Sequence, residues 1–434
     1  MLTPEENEIL VRTTRGTAAG EWMRRYWQPV ALSEELQENG APLAVKLLGE
    51  DLVLFRGDSG QVGLLGRRCS HRGADLSLGR LEDGGLRCLY HGWLYAADGR
   101  CLEQPAEPEG SDFKSKIRHC SYPCKELGGI IFTYMGPGEP PVFPLYEPLI
   151  APENHRYAYK VLHECNYLQA HEGEIDPAHL SYLHRRTNQP SWRQRSIKGS
   201  DGVQPMALYR KDAAPRIEIE ETDFGVRVYS IRRADDEKIY LRLTNSIFPN
   251  VSTIIGPMAG DGYDINWHVP IDDHHHWKYV VIFRRSGPLE ARDWKNIHSL
   301  RPEITPDYRL VRNAANNYLQ DRESMKNGNF SGLGTNNLPQ DAAMVQSPGA
   351  IQNRDEEHLG TTDKAIIANR RAFLKAIRQV ESGEEAPHVI RDPAKARVPE
   401  IAVISEIVGG SEDWRSYWKK IKRIDDESYS SAHH

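Results

Sequence analysis

Long apolar runs are missing from this chain of 434 residues. Nowhere do eighteen or more apolar residues follow one another, which excludes a stretch readable as a membrane-crossing helix. No secretory leader is expected either. Met1-Leu-Thr-Pro-Glu-Glu-Asn-Glu8 is acidic and polar, where a leader opens basic and turns apolar. Positive charge is not in excess. Lys and Arg number 55 against 61 Asp and Glu, a net charge of −6, so there is no basic footprint for nucleic acid. Cysteine is scarce, with six residues at Cys69, Cys88, Cys101, Cys120, Cys124 and Cys165. That is few for a disulfide framework, and free buried thiols in a reducing cytoplasm are expected. Internal repeats and low-complexity segments are absent as well. The reading is a cytoplasmic protein of ordinary composition, long enough for two or three domains, with no nucleic-acid or membrane partner. The closing His433-His434 reads as the stub of a purification tag and is given no function.

What is present is a pair of short motifs, Cys69-Ser70-His71 and Cys88-Leu-Tyr-His91. Each brings one thiol and one imidazole. Two thiolates on one iron and two imidazoles on the other make a Rieske [2Fe–2S] cluster. Neutral imidazoles remove negative charge, so such a cluster takes up an electron more readily than an all-cysteine one. Two Cys and two His also suit structural zinc, but zinc sites pair Cys with Cys and His with His along the chain. The neighbours favour the cluster. Arg72-Gly73 and Gly92-Trp93 follow the histidines, and glycine lets backbone amides approach closely. The extra loop cysteines of the respiratory Rieske proteins are replaced by Ala74 and Tyr90. The cluster is therefore expected to be of the soluble, low-potential kind, towards ~−150 mV.

Residues 1–36 read as a helical segment, and 37–135 as a small all-β domain with both loops at hairpin tips. Its strands include Leu43 to Leu48, Leu52 to Arg56, Gln61 to Leu65 and the run from Gly129 to Tyr134. Residues 136–152 hold six prolines and read as a linker that is neither helix nor inner strand. Residues 153–385 read as a larger α+β domain, an antiparallel sheet with helices. Arg227 to Arg233, Lys238 to Asn245, Tyr263 to Pro270 and Trp277 to Arg285 are its strands. Asp363 to Val380 is an amphipathic helix with Ile366, Ile367, Phe373, Leu374, Ile377 and Val380 on one face and Gly383 past its end. Residues 386–434 are left as a C-terminal extension.

Just past the linker, Asp176-x-x-His179-x-x-x-x-His184 spaces a carboxylate and two imidazoles. On a helix that bends or ends, residues five apart converge well enough to share a metal. Two His and a distant carboxylate form the facial triad of non-haem Fe(II) oxygenases, which leaves positions open for O₂. Alone the spacing is weak and fits capping or core histidines. An upstream cluster that delivers electrons changes that balance.

The order Cys-x-His, Cys-x-x-His, Asp-x-x-His-x-x-x-x-His resembles the catalytic α subunit of the Rieske non-haem iron aromatic-ring oxygenases, most of all the phthalate 4,5-dioxygenase branch. The resemblance extends to Met23-Arg-Arg-Tyr-Trp27, Tyr167-Leu-Gln-Ala-x-Glu-Gly173, Gln340-Asp341 and Glu357-His-Leu-Gly-x-x-Asp363. It implies one [2Fe–2S] cluster on Cys69, His71, Cys88 and His91, and one mononuclear Fe(II) on His179, His184 and the carboxylate of Asp341. By sequence alone Asp321, Asp355 and Asp363 compete for that third place. Asp176 is implied as the bridge from His179 to His91 of a neighbouring subunit; its bland reading is a helix N-terminal cap ahead of Pro177. The fold implied is a Rieske domain followed by a helix-grip catalytic domain. The partners implied are a flavin/iron-sulfur reductase fed by NADH, O₂ as co-substrate, and further copies of the chain in a trimer or stacked hexamer. Ser70 departs from the family, which commonly has proline there.

The branch implies an aromatic carboxylate as substrate, bound by an Arg. Arg216 and Arg242 are the candidates, against a bland reading as surface strand charges. Ring dihydroxylation and O-demethylation of a methoxylated aromatic acid use the same centres, and the motifs do not separate them. A Rieske electron carrier without oxygenase activity is the rival from another class, and a zinc-stabilised binding module is a further one. His274-His275-His276 reads as a solvated turn, because neighbours on a strand point to opposite faces.

Overall fold

The computed structural model describes residues 2–38, 40–185, 205–256, 261–398 and 400–422; His433-His434 lie outside them. Thr3 caps the helix Pro4–Val11 and Thr17 caps Ala18–Met23, each hydroxyl accepting from a backbone amide of the first turn. The helical reading of 1–36 stops there. Trp27–Leu32 is a strand, paired antiparallel with Ile130–Tyr134. Pro29 has no amide to continue a helix, and every residue after Trp27 in this strand is buried. The all-β domain follows as two four-stranded sheets. Leu43–Leu47, Glu50–Arg56, Val62–Gly66 and Ser121–Tyr122 form one; Arg80–Glu82, Gly85–Arg87, Leu94–Tyr95 and Cys101–Glu103 form the other. Val53, Phe55, Leu65, Leu86 and Trp93 pack a small core that includes Cys69 and Cys88.

The proline-rich linker is mostly irregular, but Glu147–Ile150 is one short helical turn. Pro148 sits in its first turn, where the missing amide has no partner to lose. The catalytic domain is built on an eight-stranded antiparallel sheet. In spatial order its strands are Arg156–His163, His276–Arg284, Gly262–Pro270, Val251–Ile254, Lys238–Ile247, Gly225–Arg233 and Arg216–Thr222. The eighth strand is Ile404–Gly409, which pairs with the first half of Lys238–Ile247. Part of the supposed C-terminal extension is thus a structural member of the catalytic sheet. The long helix Lys364–Glu381 buries Ile366, Phe373, Leu374, Ile377 and Val380, whereas Ile367 is exposed. Trp22 of the N-terminal helix packs on Phe373 at 5.1 Å between ring centroids, which ties the start of the chain to the catalytic domain.

Two further expectations change. His274 and His275 lie in the turn, but His276 opens a strand, is fully buried and its Nδ1 lies 2.8 Å from the Cys165 carbonyl oxygen. The six thiols are free, yet they are not all buried. Cys120 is exposed and Cys124 half-buried.

Candidate metal centres and the active-site cavity

The two Cys/His loops are built alike. In the first, Gly73 N–H donates to the Cys69 carbonyl and Cys69 N–H to that of Ala74. In the second, Gly92 N–H donates to Cys88 and Cys88 N–H to Trp93. Gly73 and Gly92 both take positive φ, 71° and 75°, so the chain doubles back at little steric cost. The result is polarised. Cys69 and Cys88 are buried, while His71 is exposed and His91 partly so, with their rings 4.4 Å apart. Burial pushes the Cys88 thiol up; the amides of Tyr90 and His91 pull the other way. These donors fit a cluster whose thiolate side is enclosed and whose imidazole side meets the surface. Among the described residues they are not gathered as tightly as a single tetrahedral ion requires; the one group of three or more donors within 4.8 Å of each other lies elsewhere.

Tyr95 and His119 add contacts that the motifs did not announce. Tyr95 Oη lies 3.2 Å from Cys69 Sγ. Once Cys69 is a thiolate ligand, only the phenol has a proton to give. A hydrogen bond to the thiolate favours the reduced, more negative cluster. Tyr95→Phe is expected to lower the cluster midpoint by on the order of 50 mV, measured by redox titration of the visible spectrum, with the cluster retained. His119 Nε2 lies 2.7 Å from the Gly66 carbonyl, which makes it the donor, so Nδ1 accepts from Ser70 Oγ at 2.6 Å. This bond braces the first loop where the family commonly has proline.

The second centre is carried by three segments. The helix Tyr167–Ile175 ends at Asp176, which caps its C-terminus and is not the N-cap of a new helix. Asp176 Oδ1 accepts from Ala178 N–H at 2.7 Å and turns the chain into the short 3₁₀ segment His179–Ser181. His184 comes next, in a turn, so the two histidines converge across irregular backbone and not along a helix. Asp341 comes from the helix Asn337–Gln346. His184 Nε2 lies 2.9 Å and His179 Nε2 3.7 Å from Asp341 Oδ1. The competitors are elsewhere. Asp321 caps the helix Arg322–Lys326, Asp355 is exposed, and Asp363 accepts from Gly360 N–H.

The hydrogen bonds around the two histidines show what this arrangement suits. Gln340 Nε2 donates to the Gly334 carbonyl at 2.7 Å, so its Oε1 must accept from His184 Nδ1–H, also at 2.7 Å. In the neutral ring that leaves a lone pair on Nε2 facing a carboxylate oxygen. His179 presents Nδ1 to Asp176 Oδ2 at 3.6 Å, which orients its Nε2 the same way. Three electron-rich atoms directed at one point fit a divalent cation, and Asp176 and Gln340 would be the outer partners that orient its ligands. Burial opposes charge on each group here, yet Asp176 and Asp341 outweigh it and raise His179 above the usual histidine value. His184 and His179 likewise hold the Asp341 carboxyl below the usual carboxylate range. Gln340 was part of the sequence motif, but nothing in the sequence assigned it this role.

His179, His184 and Asp341 line a cavity of about 900 Å³. Leu180, Leu183, Ile255, Phe330 and Ile366 give it apolar wall. Arg242 lines it too, buried at 8% exposure, with Nη1 donating to Tyr209 Oη at 3.0 Å. Arg216 does not. It is exposed at the end of an edge strand, 5.3 Å over the Trp414 ring.

Comparison with known proteins agrees with this layout. The Rieske [2Fe-2S] domain family matches residues 26–122, and the family described as LigXa C-terminal domain like matches residues 133–433. The phthalate 4,5-dioxygenase oxygenase subunit of Pseudomonas putida is 38% identical over 431 residues, 96% of this chain and 95% of that one. The 5,5'-dehydrodivanillate O-demethylase oxygenase subunit of a Sphingobium species is 33% identical over 402 residues, 91% of this chain and 85% of that one. In fold, the chain is similar to the terminal oxygenase of carbazole 1,9a-dioxygenase from Nocardioides aromaticivorans IC177. The TM-score is 0.56 at 20% identity, over 86% of this chain and 97% of that one. With both family models matched in order and a relative this similar along nearly its whole length, the chain belongs to the Rieske non-haem iron oxygenases, in the phthalate 4,5-dioxygenase-like branch of their catalytic α subunits.

Proposed function

We propose that the chain hydroxylates a carboxylated aromatic ring, using O₂ and electrons that pass from NADH through a separate flavin/iron-sulfur reductase. The observation that carries this reading is one cavity lined both by the His179, His184 and Asp341 donors and by the buried Arg242. A buried guanidinium wants a counter-charge, and among the described residues Arg242 has no carboxylate partner. A ring carboxylate entering the cavity would supply one through two parallel hydrogen bonds.

In this reading Cys69, His71, Cys88 and His91 hold the [2Fe–2S] cluster, and His179, His184 and Asp341 hold the mononuclear iron. When bound, the two groups supply single-electron relay and O₂ activation. The protein supplies the rest. Asp176 and Gln340 orient the imidazoles, Arg242 aligns the ring, and the apolar wall keeps bulk water from the reacting carbon. Asp176 also serves as the bridge to His91 of a neighbouring subunit in a trimer or stacked hexamer.

Likeness to an O-demethylase subunit favours a second reading, hydroxylation of a methoxy carbon followed by loss of formaldehyde. One experiment tests both. Iron-replete protein is incubated with a surrogate reductase, NADH, ¹⁸O₂ and a panel of phthalates and methoxylated aromatic acids. A product with two ¹⁸O atoms and two added hydrogens supports ring dihydroxylation. Formaldehyde with loss of a methylene equivalent supports O-demethylation. Failure of the reductase to reduce the protein would sink the oxygenase proposal. Arg242→Met is expected to weaken binding of the active acid by on the order of 50-fold with metal content unchanged, read by calorimetry.

A further inference from the structure

The strand Tyr263-Asp-Ile-Asn-Trp-His-Val269 alternates apolar and polar, the pattern of a sheet with one face in water. Here neither face is in water. Ile265, Trp267 and Val269 join the main core. Asn266 and His268 point the other way and line the cavity, as does Lys278, the register partner of His268 on the next strand. Glu174, from the helix Tyr167–Ile175, lies across them. It forms an ion pair with Lys278 and accepts from Asn266 Nδ2 at 2.8 Å. His163 completes the patch from the neighbouring strand.

This floor is short of partners. Asn266 and His163 are 1% and 2% exposed. Asn266 Oδ1 and both ring nitrogens of His163 have no hydrogen-bond partner among the described residues. Buried polar atoms in a native protein find a partner, so these await one from the cavity. We propose that Lys278, Asn266 and His163, set by Glu174, form a second polar subsite of the cavity that binds a neutral hydroxyl of the substrate. This deepens the proposed function: the substrate class becomes an aromatic acid that also carries a phenolic hydroxyl.

Charge selects the hydroxyl over a second carboxylate. Burial works the other way, but Lys278 holds Glu174 well below the carboxylate range, and burial keeps His268 low. Lys278 and Glu174 thus cancel. An added carboxylate here would meet the Glu174 carboxylate, and the cation beside it, Lys278, is already paired with Glu174. A hydroxyl suits the site, since it accepts from the Lys278 ammonium and donates to Asn266 Oδ1. The Arg242 pole is separate. Arg242 belongs to the strand Lys238–Ile247 and Lys278 to His276–Arg284, which are not neighbours in the sheet.

The test is calorimetry on iron-replete holoprotein with benzoate, the three hydroxybenzoates and the three benzene dicarboxylates. At least one hydroxybenzoate is expected to bind about tenfold or more tighter than benzoate, and no dicarboxylate is expected to gain. In Lys278→Met/Glu174→Gln, which removes both charges together, that gain should fall below about twofold while benzoate affinity holds. Asn266→Ala, which keeps the ion pair, should shrink the gain in the same direction and serves if the double variant does not fold. Benzoate binding without any hydroxyl gain, or a gain that survives in the folded variants, overturns the subsite and leaves the proposed function standing. No binding of any ring acid overturns both.

Discussion

His184→Ala is expected to lower product formation by on the order of 10³-fold, with the visible spectrum of the cluster and its reduction by the reductase unchanged. The size follows from position. His184 is buried at 6% exposure and locked through Nδ1 by Gln340, so no neighbour can swing in to replace its Nε2. Alanine also leaves the Gln340 Oε1 acceptor buried and unpaired, which adds a stability loss of about 1–3 kcal/mol. Iron analysis and product assay should report the two effects apart: iron falls from three to two per subunit while labile sulfide stays at two. The milder Gln340→Leu should cost between about 10- and 100-fold in iron affinity, since it removes an orienting partner and no donor. Near-normal product formation by His184→Ala would remove His184 from the proposed iron ligands.

The second large effect is expected from Asp176→Asn. Re-oxidation of the reduced cluster by O₂ in the presence of substrate should slow by on the order of 100-fold, with three irons per subunit retained. Asp176 reaches His179 Nδ1 at 3.6 Å and is itself fixed by Ala178 N–H at 2.7 Å. Asparagine keeps the shape and the Ala178 bond, but it carries no negative charge to raise the basicity of His179 or to draw a donor from a neighbouring subunit. A bridging role and a purely structural one part here. Loss of mononuclear iron, or a fall in melting temperature with an unchanged re-oxidation rate in the folded fraction, would assign Asp176 to structure alone.

Local chemistry was readable along the chain where neighbours in sequence are also neighbours in space. Cys69-Ser-His71 and Cys88-Leu-Tyr-His91 needed only the glycines beside them to become two matched loops. The paired strands and the Lys364–Glu381 helix followed from periodicity, because a face that must be buried repeats every two residues or every three to four. Where local signals conflicted, burial decided. The helical reading ran through Trp27–Leu32 because the aromatic residues before it suit either state; its pairing with Ile130–Tyr134, about a hundred residues away, made it a strand. The strand Ile404–Gly409 is short, and its partner Lys238–Ile247 is more than 150 residues distant, so nothing local marked it as part of the catalytic sheet.

The sequence by itself therefore determined the kind of chemistry: the donor types, their spacing in each loop and the antiparallel framework that carries them. Of four aspartates the family resemblance pointed to Asp341, but only tertiary structure brings it to His179 and His184, since it arrives on a separate helix and no spacing rule spans that distance. Tertiary structure alone separated Arg242 from Arg216, because both lie in strands and only burial tells a pocket wall from a surface. It also turned Asn266, His268 and Lys278 inward. Alternation records that a strand has two unlike faces; whether the polar one meets water or a cavity depends on what else is folded over it.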